Sequence, residues 1–277
     1  MGKIDQVREM MKKTTKAQLK HIRKLLKSRE ARDADGLFVA EGLKIVRDMA
    51  AKGNEINEVF VSRVFAEDPD NRSMLLHFEK RSVPVYYAGV PDFEQVSSLR
   101  HPEGILAMVK KNEGARRFSL DADSAFIVLC DGIQDPGNLG AIVRTSVAFG
   151  VDHLILTGDS VDVYNPRVVR SSSGMVIDIP VSVCSYNELD QLKKKGYRIF
   201  ASQAMGGKDT DIRKLKQLPP LCIVAFGSEG QGISDEVCGR ADHFFHIPVS
   251  GNVESLNVTA AAAVVLYEFN KRRKADG

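Results

Sequence analysis

The sequence predicts an α/β fold in two parts, a small α/β domain followed by a larger domain built on a parallel sheet. Three observations carry that reading. Strand-like and helix-like stretches take turns from Gly36 onward. The runs Ala125–Cys130 and Leu221–Phe226 are continuously apolar instead of alternating, as strands buried on both faces of a parallel sheet are. Both runs feed glycine-bearing loops, and loops at the carboxyl ends of parallel strands are where such sheets hold their ligands.

Composition narrows the class before any motif is read. The chain has 277 residues, enough for two modest cores, and a net charge of only +3. Cys130, Cys184, Cys222 and Cys238 are widely scattered, with no C-x-x-C pair and no histidine at metal spacing. They read as thiols of a reducing cytosol, and no metal site is expected. No run approaches the roughly 18 uninterrupted apolar residues that a bilayer demands. The N-terminus is charged and lacks an apolar core, so it does not read as a secretory signal, and the expected location is cytoplasmic.

From the N-terminus, residues 1–33 read as a basic helical arm. Lysines and arginines far outnumber acids there, and Leu19, Ile22, Leu25 and Leu26 recur at helical spacing over Lys16 to Ser28. A basic helix suits a polyphosphate partner, because each neutralised phosphate releases condensed counterions. Residues 34–112 then form the small α/β domain. Phe38-Val39 leads into a helix from Glu41 to Ala51, Ile56 to Val61 is a strand, and Asn71 to Lys80 is a helix. Val83 to Tyr87 and Ile105 to Lys110 are further strands, with a short helix after Pro91. The lone histidines His77 and His101 form no catalytic constellation. A polar stretch over residues 113–124 reads as the linker.

The second domain, residues 125–277, opens with the Ala125–Cys130 strand and the loop Asp131 to Gly137, after which Asn138 is expected to cap a helix carrying Arg144. Further strands are expected at His153 to Thr157, Tyr197 to Ser202, Leu221 to Phe226 and His243 to Ile247, with a helix from Asn187 to Lys195. The Leu221–Phe226 strand ends in Gly227-Ser228-Glu229-Gly230-Gln231-Gly232, a backbone that must turn sharply or approach a ligand closely. Ser255 and Asn257 stand where an alanine-rich helix begins, and Ala260 to Ala263 permit close packing. The glycines spell neither G-x-G-x-x-G nor G-x-x-x-x-G-K-[ST], which disfavours a dinucleotide fold and a P-loop.

The segments NLGAIVR, GSEGQG and IPVSGNVESLNVTAA resemble, in order, the three motifs of the SpoU (TrmH) family of RNA ribose 2′-O-methyltransferases in the SPOUT superfamily. Residues 36–112 are similar, more loosely, to the L30e-like substrate-binding domain often fused to these enzymes. The resemblance implies a catalytic domain closed by a C-terminal trefoil knot, a rare topology. It implies S-adenosylmethionine as cofactor, lined by Gly227, Ile247 and Leu256, and a homodimer through the catalytic domain. It also implies catalytic roles for Arg144, Asn138, Glu229, Ser255 and Asn257.

By resemblance Arg144 is the proton acceptor. A guanidinium is protonated at ordinary pH, so holding the target phosphate or stabilising an alkoxide is the alternative. Gly227 is expected to exclude a side chain because the backbone there approaches the cofactor. The expected substrate is structured RNA, ribosomal RNA favoured over transfer RNA. Two rivals stay open. A non-catalytic RNA-binding scaffold would fail a cofactor titration, and a nucleotide-dependent oxidoreductase would fail incubation with labelled methyl donor.

Overall fold

The central strands of both sheets follow from the apolar runs. The computed structural model describes residues 11–112, 123–203, 210–215, 218–251 and 255–275, with residues 274 and 275 described by backbone only. Residues 113–122, most of the expected linker, lie outside the described residues. The chain separates into two units. The first takes in the chain to Lys111 together with Tyr164–Gly174, and the second Asn112–Val163 with Met175–Gly277.

In the first unit, β1 (Lys12–Lys13), β2 (Leu37–Glu41), β3 (Ile56–Ser62), β4 (Val85–Ala88) and β5 (Ile105–Lys110) form a sheet in the order β1-β4-β3-β5-β2. The outer β1 and the β3/β4 pair run parallel, while β5 is antiparallel to both β3 and β2. The helices are α1 (Lys16–Lys27), α2 (Arg29–Asp35), α3 (Leu43–Ala51), α4 (Arg63–Glu67), α5 (Arg72–Lys80) and α6 (Val90–Glu94). A capping box starts α1, with the Gln18 N–H donating to Thr15 Oγ1 at 3.2 Å and the Thr15 N–H to Gln18 Oε1 at 3.0 Å.

The basic helix corrects the reading of residues 1–33 as a separate arm. Leu19, Ile22 and Leu25 are buried in one cluster with Val39, Phe60, Leu106 and Met108, so α1 is a wall of the first unit's core. Its apolar stripe needed a partner, and the sheet supplies it. The opposite face leaves Lys16, Lys20, Lys24 and Lys27 exposed.

Tyr164–Gly174 corrects the domain boundary read from sequence. The excursion forms α7 (Pro166–Ser171) and packs inside the first unit. Tyr164 lies against Phe38 with ring centroids 4.9 Å apart, and the Lys111 ammonium, ion-paired with Asp33 at 2.5 Å, sits 5.0 Å above the same ring. Arg170 donates to Ser98 Oγ at 2.9 Å, and Ser98 donates in turn to the buried Glu41 carboxylate. Gly174, at φ +80°, meets Ile45 so closely that a Cβ would lie 2.9 Å from its Cγ2.

The second unit's sheet is parallel throughout. Its strands are β6 (Ala125–Asp131), β7 (His153–Thr157), β8 (Val181–Val183), β9 (Arg198–Ser202), β10 (Thr210–Asp211), β11 (Leu221–Gly227) and β12 (His243–His246), ordered β10-β12-β9-β11-β6-β7-β8. The central β6 and β11 pair along their whole length, from Ala125 with Leu221 to Asp131 with Gly227. Helices α8 (Pro136–Ala148), α9 (Tyr186–Lys194), α10 (Asp235–Cys238) and α11 (Val258–Ala275) complete it. The chain moves outward from β6 through β7 to β8, then crosses to β9 and returns with β11 between β9 and β6. That reversal places the ends of β6 and β11 at a switch point, where open α/β sheets form clefts.

Candidate active site

The loop after β11 is shaped by its own backbone. Ser228 and Gly232 bridge, with Ser228 N–H donating to the Gly232 carbonyl at 3.0 Å and Gly232 N–H to the Ser228 carbonyl at 2.9 Å. Gly232 takes φ +71°, which favours glycine. The bridge folds the loop back on Gly227 so tightly that a Cβ there would lie 2.0 Å from the Gly232 carbonyl carbon and 2.2 Å from the Ile233 nitrogen. Gly227 is therefore required by the returning loop itself, before any ligand approaches it.

Asn257 joins this loop to the last helix. It is the residue before α11: its carbonyl accepts from Ala261 N–H at 2.9 Å and its Oδ1 from Thr259 N–H at 2.8 Å, as an N-cap does. Its Nδ2 donates to Glu229 Oε1, so the second and third motifs are tied side chain to side chain.

Around this junction lie two cavities. The first, about 360 Å³, is lined by Gly227, Glu229, Ile247, Ser255, Leu256 and Asn257 together with Phe226 and Val249. The second, about 510 Å³, is lined by Asn138, Asp131, Asp135, Asp159, Tyr186 and Glu229. Ser228, Glu229, Gly232 and Val258 belong to both walls. Among the described residues, neither lining includes a lysine or arginine, so neither wall is built to grip a phosphate. The first suits a largely apolar ligand read by backbone and a few polar groups, and the open apolar face of Leu256 belongs to it.

Seven of the eight residues singled out from sequence line one or both cavities. Arg144 does not. It is exposed on α8, beyond the turn that carries Asn138. Asn138 is also not the cap: Asp135 is, its Oδ1 accepting from the Asn138 N–H at 2.9 Å, with Pro136 in the first turn where its missing N–H costs nothing.

Asp131 escaped sequence reading as a functional residue. It is 2 % exposed, at the end of β6, and its Oδ1 accepts from Thr157 Oγ1 at 2.8 Å and Tyr186 Oη at 3.2 Å while Oδ2 accepts from Ser234 N–H at 2.8 Å. Burial raises the Tyr186 phenol above its ordinary value, and the neighbouring carboxylate pushes the same way, so the phenol remains a donor. The available signal was an acid closing an otherwise apolar, doubly buried strand.

A parallel α/β domain with a largely apolar ligand cleft at its switch point, linked to a smaller α/β unit, defines the architecture of a SPOUT methyltransferase with an appended substrate-binding domain. The chain belongs to the SpoU rRNA methylase family, whose model matches residues 125–267, while residues 16–107 match the MRM3-like substrate binding domain. It is an RNA methyltransferase that takes its methyl group from S-adenosylmethionine.

A Staphylococcus saprophyticus protein assigned to the TrmH family of tRNA/rRNA methyltransferases is 31% identical, over 85% of this chain and 96% of its own. The Bacillus subtilis 23S rRNA (guanosine(2553)-2′-O)-methyltransferase RlmP is 26% identical, over 89% of this chain and 93% of its own. Among solved structures, the S-adenosylmethionine complex of the SpoU methyltransferase AviRb from Streptomyces viridochromogenes has a TM-score of 0.78 at 25% identity, covering 94% of this chain and 99% of that one. Among the described residues no helix is long and apolar enough to cross a membrane.

Proposed function

We propose that the second unit methylates the ribose 2′-hydroxyl of a nucleotide in structured ribosomal RNA. The observation that carries this reading is Glu229, which stands in the wall shared by both cavities and holds Asn257 at the head of α11. A cofactor cleft and an acceptor cleft must meet at the atom being transferred, and these two meet there. The apolar walls and backbone of Gly227, Ile247 and Leu256 fit the adenosyl part of the cofactor. When bound, S-adenosylmethionine supplies a methyl group already activated on a sulfonium sulfur. What the protein adds is alignment. Asn138 and Glu229 orient the ribose, and Ser255 and Asn257 hold the loop before α11. Arg144, exposed on α8 outside both walls, is assigned to grip the flanking phosphate or the developing alkoxide.

Ribosomal RNA is favoured over transfer RNA because the relative RlmP carries a 23S ribosomal activity in its name and because the first unit matches a substrate-binding domain. A ribosomal RNA substrate is in keeping with the expected cytoplasmic location. The exposed lysines of α1 supply part of the RNA affinity. The last helix presents Ala260, Val264 and Tyr267 outward at i, i+4 and i+7, a stripe suited to a second copy of the chain. Light scattering that returned a monomer at working concentration would refute that pairing. The docking of α11 onto the loop after β11 supports a threaded, knotted C-terminus. Single-turnover transfer to purified ribosomal and transfer RNA pools tests the substrate choice, and preferential label in transfer RNA would overturn it.

A further inference from the structure

We propose that Asp131 is a positioning residue for methyl transfer, the group that fixes the returning end of the Glu229 loop. This inference rests on the reading above that Glu229 stands between cofactor and acceptor. The loop leaves the sheet at Gly227, whose place is set by pairing with Asp131 in β6, and ends at Ser234, whose N–H donates to Asp131 Oδ2 at 2.8 Å. Both ends of the loop are thus referred to one residue. Ser234 also caps α10, its Oγ accepting from Val237 N–H at 3.4 Å, so the hydrogen bond to Asp131 fixes where that helix starts.

The carboxylate is itself held on its other oxygen. Thr157, its pairing neighbour in β7, and Tyr186, at the start of α9, both donate to Oδ1. Gly158, at φ +59°, makes room for this: a Cβ there would lie 3.1 Å from Tyr186 Oη. A buried carboxylate is costly unless it is hydrogen-bonded, and three donors from β7, α9 and the Glu229 loop engage both of its oxygens here. The consequence falls on the acceptor side. Ser234 lines the second cavity and not the first, whereas the start of the loop at Gly227 lines the first and is held by the sheet.

Asp131→Asn tests this, since the amide keeps one acceptor for Ser234 while turning a donor toward two hydroxyls that now donate. The expected result is a single-turnover rate lowered about tenfold or more at saturating cofactor and RNA, because small misplacements of reacting groups cost large factors in rate. The dissociation constant for S-adenosylmethionine should stay within about threefold of wild type, as the first cavity's wall at Gly227 stays paired. Tyr186→Phe, which removes one donor and leaves the carboxylate, should move the rate in the same direction by less. Leu154→Val in the β7 core, fully buried and part of neither cavity wall, serves as the stability control and should leave the rate unchanged.

A wild-type rate for Asp131→Asn, a parallel loss of cofactor affinity, or an equal rate loss in Leu154→Val would overturn the proposal. Should Asp131→Asn fail to fold, Tyr186→Phe decides by the same split, and an unchanged rate there refutes it. Failure of the wild-type protein to bind the cofactor would instead refute the underlying functional reading.

Discussion

Replacing Gly227 with alanine tests whether the glycine serves the loop or the ligand. Carbon atoms in contact keep about 3.5–4.0 Å apart. The added Cβ would stand 2.0 Å from the Gly232 carbonyl carbon, so the returning limb must retreat by about 1.5 Å. A shift of that size breaks both Ser228–Gly232 hydrogen bonds and stretches the one from Ser234 to Asp131. At about 1 kcal/mol net for each, the loss is about 3 kcal/mol. For a domain of this size that lowers Tm by roughly 6–12 °C. Calorimetry should find this fall in the absence of S-adenosylmethionine, and a titration should find the affinity reduced as well. An unchanged Tm without cofactor, combined with lost affinity, would refute the reasoning and return the steric conflict to the ligand.

The remaining predictions are independent of that loop's sterics. Leu25→Ala should destabilise the first unit by about 2–5 kcal/mol because the side chain is fully buried, while Lys20, Lys24 and Lys27 changed together to glutamine should leave Tm in place. The triple variant should bind RNA more weakly with a shallower salt dependence, and an unchanged slope of log affinity against log salt would remove α1 from the interface. Burial lowers the His153 pKa to about 4 from 6.5, so the unfolded chain takes up this proton first. Stability from this residue is therefore whole above pH 6.5, falls by up to about 3 kcal/mol as pH drops toward 4, and levels off below. His153→Gln should flatten the urea-midpoint profile in that window. A Glu229→Gln and Asn257→Ala double-mutant cycle read by SAM affinity should show coupling of about 1 kcal/mol, and additive effects would deny the link between the motifs. Arg144→Ala should lose transfer while keeping cofactor binding. Arg144→Lys should be nearly inactive at every pH if the flat guanidinium positions phosphate, whereas a rate that climbs with pH would make the residue a base.

The parts of this molecule that were legible in its sequence are those where one residue type answers to one physical demand. Ala125–Cys130 and Leu221–Phe226 had to be doubly buried strands, and they are the central pair of the parallel sheet. The loop after β11 was visible because three glycines follow a buried strand. Short edges were not visible. Leu37–Glu41 reads locally as the approach to a helix, yet Phe38, Val39 and Ala40 are buried in a strand because β5 offers an edge from far along the chain. Tyr164–Gly174 gave no sign that its partner was the first unit, since Phe38 and Ile45 lie more than a hundred positions away. Asp131 was hidden for the same reason: its donors Thr157, Tyr186 and Ser234 are brought to it only by the sheet.

The central claim, a cofactor cleft and an acceptor cleft meeting at Glu229, is tested most directly by incubating the protein with methyl-labelled S-adenosylmethionine and RNA lacking its modification, then digesting to nucleosides and mapping the label. The account predicts label on a ribose 2′-oxygen at a single position of ribosomal RNA, abolished by Arg144→Ala. Label on a base, or no transfer by a protein that binds the cofactor, would contradict it.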